Sequence, residues 1–273
     1  MDYGVADFWS NGFALVRGVF APAEVARWRA AAEAMPADRD LLSDPVLRAL
    51  LLDPRVLGIA RAILGEGALL YCGDSNVLAG ATDAGFHKDN ADKDDPNAPD
   101  WHGRYPLIRF GLYGQDHRRS PDGLDLRRGS HEHCSVTAGE HVFADLALGD
   151  LAVWNLRTSH SGGSMMLRDG TPLDPASWRA RLLRRWPMGR LAVPAPNRIG
   201  IFWSVGTAGA HYDRYVAYLK TREYAVGRWR GSAWDADART AAAAAGVTLR
   251  DVAAEIAEEP ARPLHRAHVP LAY

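Results

Sequence analysis

Three side chains of this sequence have the types and spacing to bind one metal ion: His87, Asp89 and His160. His87 and Asp89 are two residues apart, and on a β-strand such residues face the same side. His160 follows an apolar stretch that opens at Gly149-Asp150, which places it at a predicted strand end. Two imidazoles and one carboxylate on one face of an octahedron leave other positions open, which suits non-haem Fe(II) with a cosubstrate and O2. If the three converge, the site predicts oxygenase chemistry.

Three other histidines compete with His160 for the third ligand position. They are His131, His133 and His141. His160 is preferred because it follows an apolar strand, whereas His131 lies in a Gly-Ser-His turn. A His-x-Asp triplet is common by chance, so the prediction depends on its context along the chain.

Length and composition indicate one compact globular domain over residues 1–273. Hydrophobic residues make up 47% of the 273 residues and charged residues 24%, which is ordinary for a folded domain. The formal net charge of -1 gives no electrostatic reason to expect nucleic acid or an anionic membrane as a partner. We therefore expect a small-molecule substrate; composition indicates no particular oligomeric state.

Cysteine content and the N-terminal sequence bear on the compartment. The two cysteines, Cys72 and Cys134, are too few for a disulfide framework, and a reducing environment fits them best. The first seven residues are acidic, and no run of about twenty apolar residues follows, so neither a signal peptide nor a membrane span is predicted. We expect a cytoplasmic protein.

The chain divides into three parts by texture. Residues 1–68 predict a helical N-terminal part, residues 69–205 a β-sandwich or barrel, and residues 206–273 C-terminal helices. The predicted strands of the core are 70–78, 85–88, 107–113, 124–127, 141–144, 151–154 and 198–205. The predicted helices include 44–52, 54–64, 213–228 and 249–258. The fold class is therefore mainly β with flanking helices.

Five motifs, taken in order, resemble the phytanoyl-CoA dioxygenase-like branch of the Fe(II)/2-oxoglutarate-dependent oxygenases. The resemblance covers nearly the whole chain, and the order of the motifs is more specific than any one of them. The motifs are Asn11-Gly12-Phe13-Ala14-Leu15-Val16-Arg17-Gly18-Val19-Phe20, His87-Lys88-Asp89, Gly129-Ser130-His131 after Asp122-Gly123, Gly149-Asp150 leading to Trp154 and His160, and Asn197-Arg198.

This resemblance implies a double-stranded β-helix core, also called a jelly roll or cupin-like fold. It implies iron held by His87, Asp89 and His160, with 2-oxoglutarate and O2 as cosubstrates. Arg198 matches the arginine that binds the far carboxylate of 2-oxoglutarate. An arginine fits that role because its planar guanidinium donates two parallel hydrogen bonds to a carboxylate, which a lysine cannot do. Replacing it with lysine is expected to weaken cosubstrate binding.

Further residues are candidates for contacts with the cosubstrate. Arg109 is a charge in an otherwise apolar strand, so we expect it to face the pocket and contact cosubstrate or substrate. Asn76, on the strand before His87, is a weaker candidate. The family often has a hydroxyl two residues after the distal histidine, where this chain has Gly162, and Ser161 or Thr158 is the candidate to replace it.

The intact Asp89 bears on the reaction. In the family, halogenating members replace this carboxylate with a small residue so that chloride can bind the metal. A chain that keeps the aspartate lacks that vacancy. The resemblance therefore implies hydroxylation or a related oxidation, with release of succinate and CO2.

Candidate substrate contacts lie in three places. The loop 90–104 after the first two ligands carries Trp101 and His102, and Lys88 stands between those ligands. Residues 161–197 form an insertion longer than the family's usual connection. A helix is predicted from Asp174 and Pro175, with Trp178, Leu182 and Trp186 on one face.

Arginines of the insertion could bind an anionic substrate. Arg181 and Arg184 could form a lid that, with Arg157, holds a phosphate or carboxylate. The alternative is that these arginines are only solvated on a surface helix. Two other functions also stay open: a Zn2+-dependent hydrolase or isomerase with the same ligands, and a non-catalytic small-molecule binding module.

Overall fold

The structure, a computed structural model, describes residues 4–80, 85–193, 197–260 and 262–268. Its strands are β1 (Phe13–Val16), β2 (Leu69–Tyr71), β3 (Ser75–Ala79), β4 (Leu107–Tyr113), β5 (Asp125–Arg128), β6 (Glu140–Phe143), β7 (Leu151–Asn155), β8 (His160–Ser161), β9 (Met165–Met166), β10 (Pro172–Leu173), β11 (Ile199–Gly206) and β12 (Val247–Leu249). Its α-helices are α1 (Phe8–Asn11), α2 (Pro22–Ala34), α3 (Pro45–Leu51), α4 (Pro54–Leu64), α5 (Trp178–Arg185), α6 (Ala210–Leu219), α7 (Glu223–Gly231), α8 (Ala236–Ala244) and α9 (Val252–Glu258).

The N-terminal helices begin where the sequence places capping residues. The Asp44 carboxylate accepts hydrogen bonds from the first turn of α3, and the Asp53 carboxylate does the same for α4. A proline follows each aspartate, where the missing N–H is not needed. The helices predicted at 44–52 and 54–64 are therefore confirmed to within a residue or two.

A seven-stranded major sheet forms one wall of the core. Its strand order is β1-β7-β4-β11-β2-β12, and β3 lies beside β11 next to β2. Alternation along β4 assigns the two faces: Ile108, Phe110 and Leu112 pack against the N-terminal helices. Arg109 and Tyr113 therefore lie on the opposite face, toward the interior of the sandwich.

A three-stranded minor sheet, with strand order β6-β5-β8, faces the major sheet. The apolar layer between the two sheets includes Leu126 of the minor sheet and Trp154 and Phe202 of the major sheet. Two facing sheets with helices on the outer side of the larger one form the predicted jelly-roll core. A second apolar cluster joins the C-terminal helices to the end of this core.

Four local predictions differ from the structure. The predicted strand 70–78 is two strands, because the chain turns at Gly73, where φ is 80°. The predicted helix 213–228 is two helices, interrupted at residues 220–222. The predicted strand 85–88 is only a bridge between His87 and His160. Strand β12, which pairs in parallel with β2, was not predicted, because three residues are too few to show a period.

The helix of the insertion begins later than predicted. Ser177, not Asp174, caps α5 by accepting a hydrogen bond from the Ala180 N–H, and Asp174 instead pairs with Arg127. Because of this start, Ala180 and Leu183 face the protein. The face predicted to be apolar is exposed: it comprises Trp178, Leu182 and Trp186. Residues 194–196 of the insertion lie outside the described residues.

No helix within the described ranges combines the length and the apolar character needed to cross a lipid bilayer.

Candidate metal centre

Among the described residues, His87, Asp89 and His160 bring one ligand atom each within 4.8 Å of one another. His160 Nε2 lies 3.4 Å from Asp89 Oδ2, and His87 Nε2 lies 3.8 Å from Asp89 Oδ1. The centroids of the two imidazole rings are 4.3 Å apart. The structure thus brings together the three residues that the sequence singled out.

Main-chain hydrogen bonds fix the positions of these residues. His87 and His160 each donate their N–H to the carbonyl of the other, both at 3.0 Å. Two residues further on, the Asp89 N–H donates to the Leu156 carbonyl at 2.9 Å. The early pair of ligands therefore runs alongside the chain that carries the late histidine, which is why residues far apart in sequence meet here.

The donor atoms are oriented for an ion. His160 Nδ1–H donates to the Thr158 carbonyl at 3.0 Å, and His87 Nδ1–H donates to the Gly85 carbonyl at 3.3 Å. These bonds leave each Nε2 lone pair free, as in metal-binding histidines. Asp89 Oδ2 is buried and forms an ion pair with Arg109 at 3.0 Å, but no described residue donates a well-aligned hydrogen bond to it. A cation among these three atoms would satisfy it, so the residues fit a metal.

Protonation also suits metal binding. Burial lowers the pKa of His160 to about 3, so its imidazole is neutral near neutral pH. Burial alone would raise the pKa of Asp89, but the charges of Arg109, His160 and His87 outweigh it and hold that pKa well below its usual range. Both groups are therefore in the form that binds a cation.

Arg109 connects the metal centre to the C-terminal part of the chain. Its Nη1 lies 3.0 Å from Asp89 Oδ2, and its Nη2 donates to Asp74 Oδ2 at 2.7 Å. Arg109 Nε donates to Ser204 Oγ at 3.0 Å, while Tyr215 of α6 donates to Asp74 at 2.7 Å. Arg109 faces the pocket as predicted, and the structure places it beside a metal ligand; its contact with cosubstrate or substrate stays a prediction.

A cavity of about 410 Å³ opens beside the triad. Its described lining consists of Asn76, Leu78, Gly85, His87, Lys93, Arg109, Tyr113, Leu124, Trp154, His160, Gly162, Arg198 and Phe202. The wall combines five aromatic or aliphatic side chains with six polar or charged ones, so a small molecule bound there would meet both apolar surface and groups that can fix its orientation.

Arg198 is buried in this wall and contacts three main-chain carbonyls. Its Nε donates to Asp122 O at 2.6 Å, while its two Nη atoms make longer bonds, at 3.4 Å to Gly80 O and 3.3 Å to Gly162 O. The guanidinium also lies over the Tyr113 ring, 5.3 Å from its centroid. The firm bond is made by Nε, so the Nη pair keeps the geometry to receive a carboxylate.

The other two cosubstrate candidates differ in position. Asn76 lines the cavity as predicted. Ser161 does not, although it follows the distal histidine, and its hydroxyl accepts a weak hydrogen bond from Gly163 N–H at 3.4 Å. Because Ser161 pairs with Asp125 across the minor sheet, its side chain lies on the opposite face from His160. The Thr158 hydroxyl is engaged by the Gly12 carbonyl at 2.7 Å.

The predicted substrate contacts lie away from the cavity lining. Lys88 is buried and points to the other side of its segment, where Nζ donates to Ser130 O and Arg157 O, both at 2.7 Å. The Arg157 guanidinium donates to Asp100 O at 2.9 Å, and Trp101 Nε1 donates to Asp92 O at 2.9 Å. The Arg157 and Trp101 bonds hold the loop 90–104 in place, and Lys88 binds the Arg157 carbonyl. The three side chains therefore stabilise the structure around the cavity without lining it.

His102, Arg181 and Arg184 are exposed outside the cavity as well. The His102 carbonyl accepts a hydrogen bond from His211, and Arg184 Nε contacts Met165 Sδ at 3.0 Å. Neither arginine is among the described lining residues, and the insertion that carries them is joined to β5 by the Asp174–Arg127 ion pair. The lid stays a prediction.

Two of the three histidines that competed with His160, namely His131 and His141, have other partners. His131 is buried and its Nε2 donates to the Trp9 carbonyl at 2.9 Å, which ties the Gly-Ser-His turn to the N-terminal segment. His141 Nε2 donates to Asp125 Oδ1 at 2.8 Å. Both therefore belong to the framework around the site.

Sequence reasoning missed several residues of the cavity wall. Tyr113 could have been found, since it lies four residues after Arg109 on one strand and so shares its face. Phe202 could have been found in the same way from β11. Lys93 had no such signal, because it belongs to a loop whose path follows no period.

Comparison with known proteins identifies the fold. HygX from Streptomyces hygroscopicus, solved with nickel and 2-oxoglutarate bound, superposes with a TM-score of 0.53 at 16% identity, over 74% of this chain and 84% of HygX. SnoN, described as a non-heme alpha ketoglutarate dependent epimerase from nogalamycin biosynthesis, gives 0.52 at 16% identity, over 75% of this chain and 79% of SnoN.

AviO1 from Streptomyces viridochromogenes Tue57 gives a TM-score of 0.51 at 17% identity, over 77% of this chain and 96% of AviO1. No protein-family model and no curated protein matches the sequence. At these identities the similarity shows a shared fold, and it confirms the predicted jelly-roll class.

Proposed function

We propose that this protein is an Fe(II)- and 2-oxoglutarate-dependent oxygenase that hydroxylates a small metabolite with release of succinate and CO2. The observation that carries the proposal is the convergence of His87, Asp89 and His160 beside a cavity whose wall contains Arg198. The shared fold with HygX, which was solved with nickel and 2-oxoglutarate bound, supports it.

Each residue has a role that its geometry suits. His87 and His160 would bind the ion through Nε2, and Asp89 through its carboxylate. Bound there, Fe(II) supplies the activation of O2 that a C–H oxidation requires, with 2-oxoglutarate as the source of electrons. Arg198 would turn its Nη pair toward the far carboxylate of the cosubstrate, and Trp154 and Phe202 would keep water away.

Hydroxylation is the outcome that the ligand set favours. With a metal bound, the Asp89 carboxylate would take the coordination position that a halide needs, so halogenation is disfavoured. SnoN is described as an epimerase, so the fold also accommodates a reaction that leaves the substrate's composition unchanged. Mass spectrometry of the product separates the two, because hydroxylation adds one oxygen atom.

Anaerobic addition of Fe(II) and 2-oxoglutarate tests the proposal directly. A visible metal-to-ligand charge-transfer band is expected for the wild type and not for His160→Ala. On admission of air, the wild type should then form succinate. A zinc hydrolase or a binding module would give neither the band nor succinate. Absence of the band, or absence of succinate, in the wild type would refute the proposal.

A further inference from the structure

Lys93 is a cation in the cavity wall, and none of the described residues pairs with its charge. Among the residues that the structure describes, no hydrogen bond or ion pair engages its ammonium group, although its side chain lines the cavity. Lys93 is partly exposed, so its ammonium is open to a ligand that enters the cavity.

Nearby carboxylates are plentiful, yet each has another partner. Asp94 lies 2.8 Å from His268 Nδ1, and Asp95 accepts a hydrogen bond from the Asn97 N–H at 2.9 Å. The Asp92 carboxylate accepts hydrogen bonds from the Arg214 guanidinium. Within the described ranges, Lys93 thus has no paired carboxylate although its loop is rich in acidic residues, because those acidic groups have other partners.

The main chain around Lys93 is fixed on both sides. The Asp92 N–H donates to Asp100 Oδ2 at 3.0 Å, and the Asp92 carbonyl accepts from Trp101 Nε1 at 2.9 Å. The Lys93 carbonyl accepts from Cys134 Sγ at 3.0 Å. The lysine is therefore presented from an anchored backbone, as a recognition group requires, and only its side chain can adjust.

With Fe(II) and 2-oxoglutarate bound, each cation of the site can be paired with an anion in turn. Arg109 is balanced by Asp74. In the proposed function the ferrous ion is balanced by Asp89 and by the chelating carboxylate of 2-oxoglutarate, and Arg198 by the far carboxylate. No aspartate or glutamate is among the described lining residues. Lys93 is then the one lining cation without a counter-charge.

We propose that Lys93 binds an anionic group of the substrate, a carboxylate or a phosphate monoester, and so selects anionic substrates. The proposal rests on the proposed function and refines its substrate class. An ammonium is a compact point charge that pairs with either group without a fixed geometry. The apolar part of such a substrate would pack on the wall formed by Leu78, Leu124, Trp154 and Phe202. Lys93 replaces the insertion arginines as the group that recognises the anion.

Four small probes test the proposal: phenylacetate, phenylacetamide, phenyl phosphate and phenol. Each is added anaerobically to protein loaded with Fe(II) and 2-oxoglutarate, and the change in the charge-transfer band is titrated. The wild type should bind the two anions more tightly than their neutral counterparts. Lys93→Met should weaken anion binding about 10-fold, the loss expected for one charged hydrogen bond. It should leave the neutral probes unchanged.

Two control variants complete the experiment. Lys93→Arg keeps the charge and should keep the preference for anions. Arg179→Met removes an exposed cation of α5 outside the cavity lining and should change nothing. A preference for phenylacetate over phenyl phosphate, or the reverse, identifies which anion the site takes.

The outcomes separate the two proposals. If the band forms and the wild type binds neutral probes as well as anions, or binds neither, the role of Lys93 is refuted while the oxygenase stands. If Lys93→Met binds the anions like the wild type, the role is refuted as well. If no band forms in the wild type, the proposed function itself fails.

Discussion

At the scale of a single residue, Arg198 has to bind main-chain carbonyls and, in the proposed function, the far carboxylate of 2-oxoglutarate. Its Nε bond to the Asp122 carbonyl, at 2.6 Å, positions the group, while the Nη pair makes only long contacts. Binding of 2-oxoglutarate would replace those long contacts with two charge-assisted hydrogen bonds. The residue type was predictable from its motif and from this chemistry, whereas its carbonyl partners were not, because they come from loops distant in sequence.

Arg198→Lys should therefore weaken 2-oxoglutarate binding more than it weakens the metal site. We expect a rise of about 10-fold or more in the cosubstrate dissociation constant, since at least one charged hydrogen bond is lost. Titration of the charge-transfer band measures it, and Ni(II) affinity in the absence of 2-oxoglutarate is the control. An unchanged dissociation constant would remove Arg198 from the site.

Asp125 provides a residue-scale prediction about pH. Burial in the minor sheet raises the pKa of Asp125 to about 6, although His141 donates a hydrogen bond to it. The folded state therefore keeps the proton up to about pH 6, whereas the unfolded chain releases it near pH 4. Asp125 therefore contributes to the free energy of unfolding below pH 4, and this contribution is lost as the pH rises to 6.

Comparison with Asp125→Asn isolates that effect. Between pH 4 and pH 6 the free energy of unfolding of the wild type should fall by about 3 kcal/mol relative to that of the variant. One pKa unit corresponds to about 1.4 kcal/mol. Above pH 7 the difference should stay constant. Urea denaturation across this range measures it, and parallel stability curves would contradict the raised pKa.

At the scale of elements, the Gly149-Asp150 motif holds the start of strand β7 against the segment that follows strand β1. The Asp150 carboxylate accepts hydrogen bonds from the Gly18 and Ala147 N–H groups, at 2.8 Å and 2.9 Å. Gly149 has a φ of 92°, and a Cβ there would lie 2.1 Å from the Phe20 carbonyl oxygen. The motif thus joins the N-terminal segment to the strand that leads to the distal histidine.

Gly149→Ala should destabilise the fold more than Gly170→Ala does. Gly170 also has a positive φ, of 87°, but a Cβ there meets no atom within 4 Å. For Gly170→Ala we expect the free energy of unfolding to fall by about 1 kcal/mol, from backbone strain alone. Gly149→Ala should cost about 2 kcal/mol more, because the clash is with main chain that cannot easily yield. Equal losses in chemical denaturation would refute this role.

Elements were predictable where a local signal existed. The aspartate-proline pairs at residues 44–45 and 53–54 mark the starts of α3 and α4 through chemistry that operates within one turn. The three-residue strand β12 has no such signal, since only its parallel pairing with β2 makes it a strand. The start of α5 was misplaced because Asp174, a suitable cap, is engaged by Arg127 from a distant strand.

The metal centre links parts of the molecule that lie far apart in the chain. Asp89 contacts Arg109 of β4, Arg109 contacts Asp74, and Asp74 contacts Tyr215 of α6. An ion bound by Asp89 and the two histidines would therefore stabilise the whole fold. The triad was predictable from order along the sequence, but this network was not, since its members share no motif.

Ni(II) should raise the melting temperature of the whole protein. At 100 times its dissociation constant, a ligand specific for the folded state adds about 2.7 kcal/mol, or about 5–10 °C for a domain of this size. Asp89→Ala should lose most of this increase. Differential scanning calorimetry with and without Ni(II) measures it. A variant that is stabilised as much as the wild type would place the ion elsewhere.

Strand β11 has a consequence for how the protein is made. It pairs with β4 on one side and with β2 and β3 on the other, so it is the only described strand joining these two parts of the major sheet. Ribosomes add about 5–20 residues per second, so β11 is complete roughly 5–20 s after β4. Until then β4 presents an unpaired edge, and we expect the nascent chain to depend on chaperones during this interval.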